Sequence, residues 1–269
     1  MTRRHILFLA TIVTVLAVGL VPLSVLAEPP SQGTNLLRNP GFEGITCAPN
    51  SPAGWCNDNW TRDCHDGSVH DNIFTPQGWV SWWRKGGDYG QPEIQTIPRI
   101  PPFIGPPARI NSGNYAAKYF NVYRNQDGGF YQVVTGLPAG ATVQFSAYAH
   151  GWSCDRDDTR ALTCGDPYNQ SFQVGIEPNG LADPFSPSVI WSPDQWSPDE
   201  YRLIGPVTAQ VGPSGNVVVF LRSKSKWPVK HLDAYWDDAS LVIVSQGTPP
   251  TNTPAPSTPP PTSTSGPSP

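Results

Sequence analysis

Apolar and polar side chains alternate with a period of two through much of the chain, the signature of strands that bury one face. The pattern is clearest from Thr142 to Gly151, where Val143, Phe145, Ala147 and Ala149 share one face and Gln144, Ser146, Tyr148 and His150 the other. Asn114 to Tyr123, Gly129 to Thr135, Ser171 to Glu177, Tyr201 to Val211 and Asn216 to Ser223 are also rich in β-branched and aromatic residues. Turn sequences such as Asp127-Gly128-Gly129 and Gly212-Pro213-Ser214-Gly215 separate several of them. Upstream, Thr34 to Gly44 reads as a short strand turning at Asn39-Pro40-Gly41, Gly78 to Trp83 as another, and Glu93 to Ile97 as a third. No segment carries a helical period beyond two turns. Seven or more strands predict an all-β, jelly-roll β-sandwich with loop insertions.

The last strand, Lys230 to Val244, is apolar at one end and acidic at the other. Alternate positions counted back from Ile243 through Leu241 and Ala239 put Asp237, Tyr235 and Asp233 on that same face. Acids there need a metal ion, a basic partner or solvent.

The two ends lack this pattern. A basic start with Arg3 and Arg4, an apolar run from Ile6 to Leu20 and the small residues of Val25-Leu26-Ala27 predict a signal peptide over residues 1–27, and hence a secreted or cell-surface protein. Residues 246–269 are Pro, Thr and Ser with no large apolar side chain, so an extended linker or stalk is expected there. A single domain over residues 34–245 remains. Formal charge is −4, becoming −6 once Arg3 and Arg4 are lost, and no basic run offers a footprint for nucleic acid.

Five cysteines sit in the mature part, Cys47, Cys56, Cys64, Cys154 and Cys164, and export would oxidise them. Cys154 and Cys164 bracket a polar loop that a disulfide would staple; the pairing among the other three stays open. No Cys-x-x-Cys spacing supports structural zinc.

Asn35-Leu36-Leu37-Arg38-Asn39-Pro40-Gly41-Phe42-Glu43 at the start, Gly78-Trp79, Arg109 to Ala116, Gly129 to Val134 and Trp236-Asp237-Asp238-Ala239-Ser240-Leu241 at the end together resemble the carbohydrate-binding modules of the family 4, 9 and 22 group, in the galactose-binding-like jelly-roll superfamily. The resemblance spans roughly Asn35 to Val244. The Cys-rich insertion from Ile45 to Phe74, the Pro-rich loop before Arg109 and the Trp191-to-Trp196 segment depart from it. It implies side-by-side terminal strands and a structural calcium, for which Glu43, Asp237 and Asp238 are the candidate ligands. Asp237 capping a turn or pairing with Arg38 or Arg222 is the alternative.

Sugar binding needs flat rings that stack on a pyranose and polar groups that grip hydroxyls. Trp152, Trp191, Trp196 and Trp227, at strand ends or in loops, are the expected stacking residues, followed by Tyr148 and His150 on the polar face of their strand, with Arg222 as a hydrogen-bond donor. Catalytic signals are thin. His65-Asp66 and His70-Asp71 lack strand or helix spacing, there is no Gly-x-Ser-x-Gly elbow, and Glu93, Glu177 or Glu200 would need a defined separation from Asp237 to act as a glycosidase pair. The expectation is a monomeric, non-catalytic module that binds polysaccharide or glycan, the alternatives being a structural adhesion domain without a sugar site and a glycoside hydrolase.

Overall fold

The structure is a computed structural model that describes residues 33–43, 60–62, 73–76, 78–100, 103, 105–157 and 162–246. The expected signal peptide over residues 1–27, most of the 246–269 tail, His65, His70, Cys47, Cys56 and Cys64 lie outside the described residues.

Among these residues the chain forms twelve strands and no helix: β1 (Trp60–Arg62), β2 (Phe74–Pro76), β3 (Val80–Trp83), β4 (Glu93–Pro98), β5 (Tyr115–Asn121), β6 (Asp127–Val134), β7 (Thr142–Cys154), β8 (Gln170–Glu177), β9 (Ile190–Trp191), β10 (Arg202–Gln210), β11 (Val217–Ser225) and β12 (His231–Ser245). Among the described residues no helix is long and apolar enough to cross a membrane. Two five-stranded antiparallel sheets, β10-β7-β12-β5-β4 and β3-β6-β11-β8-β9, stack as a jelly-roll sandwich, and β1 pairs with β2.

The period-two pattern explains the core. Val143, Phe145, Ala147 and Ala149 of β7 face Phe172, Val174 and Ile176 of β8 and Val217, Val219 and Leu221 of β11 within one buried cluster. Removing this much apolar surface from water is the main stabilising contribution. Asp233, Tyr235 and Asp237, however, do not share a face with Ala239, Leu241 and Ile243. Asp237 pairs with Tyr148 but Ser240 with Ser146, so β12 carries one extra residue at a β-bulge. Asp238 has φ 45°, a left-handed conformation that Asp tolerates better than most residues. The extra residue inverts the alternation. Ala234 and Trp236 before it, and Ala239, Leu241 and Ile243 after it, all reach the core, while the three polar residues turn outward.

Residues 34–43 form no strand. Instead Leu36 N–H donates to Leu241 C=O (2.9 Å), Ala239 N–H to Pro40 C=O (2.9 Å), and the Asn35 side chain bonds both Ala239 and Leu241, so the segment docks beside the bulge.

Candidate functional site

The outer face of the second sheet carries a group of packed aromatic rings. Alternation on β11 sends Val218, Phe220 and Arg222 outward, opposite the core residues Val217, Val219 and Leu221. Trp82 from β3, Tyr131 from β6 and Trp191 from β9 join them. Phe220 is ringed by Trp82 (6.3 Å between centroids, edge-on), Tyr131 (5.8 Å) and Trp191 (5.9 Å). Trp82 and Phe220 are fully buried, whereas Tyr131 and Trp191 are partly exposed. Phe185, half exposed at 50%, stands edge-on to Trp82 at 5.8 Å.

Two features hold this surface in place. Gly175 leaves room for the Trp191 indole, since a Cβ there would lie 2.6 Å from Trp191 Cε3. Glu177, at the end of β8, accepts the backbone N–H of Asn179 and Leu181, the Asn179 side-chain N–H and the Ser188 O–H, tying down the loop that carries Phe185.

Polar groups border the rings. Arg222 forks onto Asp127, with Nε to Oδ1 at 2.7 Å and Nη2 to Oδ2 at 3.0 Å, and its guanidinium lies 5.1 Å from the Trp191 ring centre. Arg84 donates its Nε to the same carboxylate at 2.7 Å and lies 5.0 Å from the Phe185 ring. Next to them Lys224 pairs with Asp194 at 2.6 Å. Flat apolar rings beside fixed donors can stack on one side of a sugar and bond its substituents.

The structure thus brings Trp191 and Arg222 together, with Arg222 anchored to Asp127 rather than standing alone at a strand end. Trp82, Tyr131, Phe185, Phe220, Arg84 and Asp127 were missed as a group. The outward alternation of β11 pointed to Phe220 and Arg222, but no local pattern announced Phe185 or Asp127. Trp196 and Trp227 lie at a different place, a rim of loops. Trp196 donates its Nε1–H to Tyr168 C=O at 3.2 Å and faces that ring edge-on at 6.0 Å. Trp227 is 44% exposed, and its backbone is tied to Asn169, the neighbour of Tyr168.

Trp152 and His150 do not face solvent, which corrects the sequence expectation. Both project from the outer face of the first sheet, but Phe103, Arg109, Ile110 and Tyr201 cover it. Trp152 stacks on His231 at 4.8 Å and has the buried Arg109 guanidinium 4.3 Å from its centre. His150 packs against Tyr201 and Tyr235, and burial, with the nearby Arg109 cation, lowers its pKa to about 3. Arg109 donates to Tyr235 Oη (3.2 Å), Tyr235 to Asp233 (2.9 Å), and Asp233 pairs with Lys118 (2.7 Å), so this face is a packed polar layer. Tyr148, partly exposed, lies on the same outer face opposite Asp237. The expected staple is present: Cys154 and Cys164 form a disulfide.

Glu43, Asp237 and Asp238 all reach the 111–114 loop. Asp237 accepts the N–H groups of Asn111 (3.0 Å), Ser112 (3.2 Å) and Asp238 (2.9 Å). Asp238 accepts the Asn111 amide (2.7 Å) and the Ser112 hydroxyl (2.8 Å), and Glu43 takes the Asn114 N–H on both oxygens. Burial first, and Asp238 second, raise the Asp237 pKa to about 7. Calcium needs six to eight oxygens turned toward one point. Here all six carboxylate oxygens face N–H or O–H donors, and among the described residues no three His, Cys, Asp or Glu are placed to hold a metal ion. In this arrangement the three carboxylates do not fit a calcium cage; they close the seam by hydrogen bonds.

No family model and no curated protein matches the chain. Solved structures do resemble it. A carbohydrate-binding module, TmCBM61 in complex with β-1,4-galactotriose, is 11% identical over 78% of this chain and 99% of its own, with a TM-score of 0.43. A cyclase from Fischerella sp. TAU is 12% identical over 79% of this chain and 97% of its own, with a TM-score of 0.47. The xylan-binding domain CBM22-1 from Paenibacillus barcinonensis is 10% identical over 63% of this chain and 87% of its own, with a TM-score of 0.38. With TM-scores below 0.5, none of them assigns a ligand or an activity to this chain.

Proposed function

We propose that this protein binds carbohydrate without transforming it, through the outer face of the second sheet. One observation carries the reading: the exposed parts of Trp191, Phe185 and Tyr131 rest on buried Trp82 and Phe220, beside the guanidinium groups of Arg222 and Arg84. A rigid aromatic surface with donors at its border is what a pyranose ring requires. The sequence resemblance to carbohydrate-binding modules supports the same reading. Catalysis is not favoured by Asp127, Asp194 or Glu177, which are engaged by two arginines, by Lys224 and by the loop after β8 respectively. The Cys154–Cys164 disulfide supports function outside the reducing cytosol.

Isothermal titration and polysaccharide pull-down against glucans, xylans, galactans and pectins test the reading. Binding to at least one polymer, weakened roughly tenfold or more by Trp191→Ala, is expected. Folded protein that binds no member of the panel overturns it.

A further inference from the structure

We propose that the glycan taken by this face carries an anionic group, a carboxylate or a sulfate ester, recognised by Arg84 and Arg222; this rests on the carbohydrate-binding reading above. Two guanidinium groups share a single carboxylate, so the Arg84–Asp127–Arg222 group keeps one positive charge in excess. The fork from Arg222 engages both oxygens of Asp127, whose side chain is only 4% exposed, and already neutralises it. Arg84 is therefore surplus to that ion pair.

Its side chain is 42% exposed, yet it is not left to wander in solvent. Arg84 sits against Phe185 at 5.0 Å and Tyr89 at 5.2 Å, and it gives only its Nε to Asp127. Holding a long cationic side chain in one geometry costs rotamer entropy, and a forked donor held in this way suits a planar or tetrahedral oxyanion. Two further carboxylates near this face are committed elsewhere. Asp194 is paired with Lys224, and Glu177 is turned to its loop. The positive spot stands out against a chain of net charge −4. A sugar stacked on Trp191 would bring an acidic substituent toward Arg222, which lies 5.1 Å from that ring.

The test is titration calorimetry on the full chain with polygalacturonate, its fully methyl-esterified form, a sulfated galactan and a neutral galactan. Tighter binding, by roughly tenfold, of an acidic polymer over its neutral counterpart is expected, weakening as salt rises from about 0.05 to about 0.5 M. Preference for the carboxylate or for the sulfate polymer identifies which anion is read. Arg84→Gln, with circular dichroism and melting temperature as folding controls, is expected to lose about tenfold in affinity for the acidic polymer. Neutral polymers bound as tightly as acidic ones, or an Arg84→Gln variant with unchanged affinity, overturn the proposal and leave carbohydrate binding standing. Absence of binding to any polymer removes both.

Discussion

Glu177 accepts the backbone N–H of Leu181 at 2.6 Å, and through this bond the end of β8 fixes the loop that carries Phe185 onto Trp82. Burial pushes the Glu177 carboxyl up, but its hydrogen bonds from Leu181, Ser188 and Asn179 outweigh that and lower its pKa. Its stabilising contribution is present above the unfolded carboxylate pKa and is lost as pH falls through the depressed folded value. Glu177→Ala leaves four donors without their acceptor. It is expected to cost roughly 1–3 kcal/mol and to weaken ligand binding at Phe185 and Trp191 together. Thermal unfolding and ligand titration check this; an unchanged melting temperature would show that the carboxylate does not hold the loop.

Gly175→Ala tests the seat of Trp191 from beneath. The new Cβ would lie 2.6 Å from the indole, so the ring must lift away from the sheet. Overpacking of this kind costs about 1–3 kcal/mol. The expected outcome is an altered tryptophan emission spectrum and loss of sugar affinity without loss of β structure by circular dichroism.

Two buried groups on the outer face of the first sheet give opposite pH dependences. His150 stays neutral in the fold with a pKa near 3, so the unfolded chain takes up the proton first and stability falls as pH drops from about 6.5 towards 3. Asp237 holds its proton up to about pH 7, so its contribution weakens as pH rises from about 4 to 7. Over pH 4 to 6.5 the two oppose each other, each by at most about 1.4 kcal/mol per unit. His150→Phe should leave stability falling with pH across this window, and Asp237→Asn should leave it rising. Denaturant unfolding at pH 4.5, 5.5 and 6.5 reads the slopes (~1 unit apart,); slopes of the same sign in both variants would contradict the assignment.

Trp152→Ala separates folding from binding. Trp152 is enclosed by His231 and Arg109, so its truncation is expected to cost about 3–5 kcal/mol of stability. Sugar affinity of the remaining folded protein should be unchanged, because this ring belongs to the first sheet. A selective loss of affinity at unchanged melting temperature would return Trp152 to the binding surface.

Much of the sandwich was legible because burial of one sheet face writes a period of two into the residues themselves. Val143, Phe145, Ala147 and Ala149 could be assigned inward without knowing what they meet, and β5, β6, β8, β10 and β11 followed with boundaries shifted by a few residues. The same rule failed at Asp238. A single extra residue inverts the alternation, and its left-handed backbone accompanies the pairing with Tyr148 and Ser146 and the docking of Pro40, none of which is local to it. The exposure of Trp152 was misjudged for a similar reason: the covering loop joins it from some forty residues upstream, and whether a strand-end aromatic meets water depends on what crosses over it.

Residue order alone thus determined that the chain folds as an all-β sandwich and which side of most strands is apolar, because these depend on periodicity within a strand. Tertiary structure decided which polar and aromatic groups meet. Asp127 and Arg222 are 95 positions apart and come together only because β6 and β11 pair, bringing Gly129 opposite Arg222. Partnership across a sheet depends on register and strand order, quantities set by the packing of the whole chain rather than by any one segment of it.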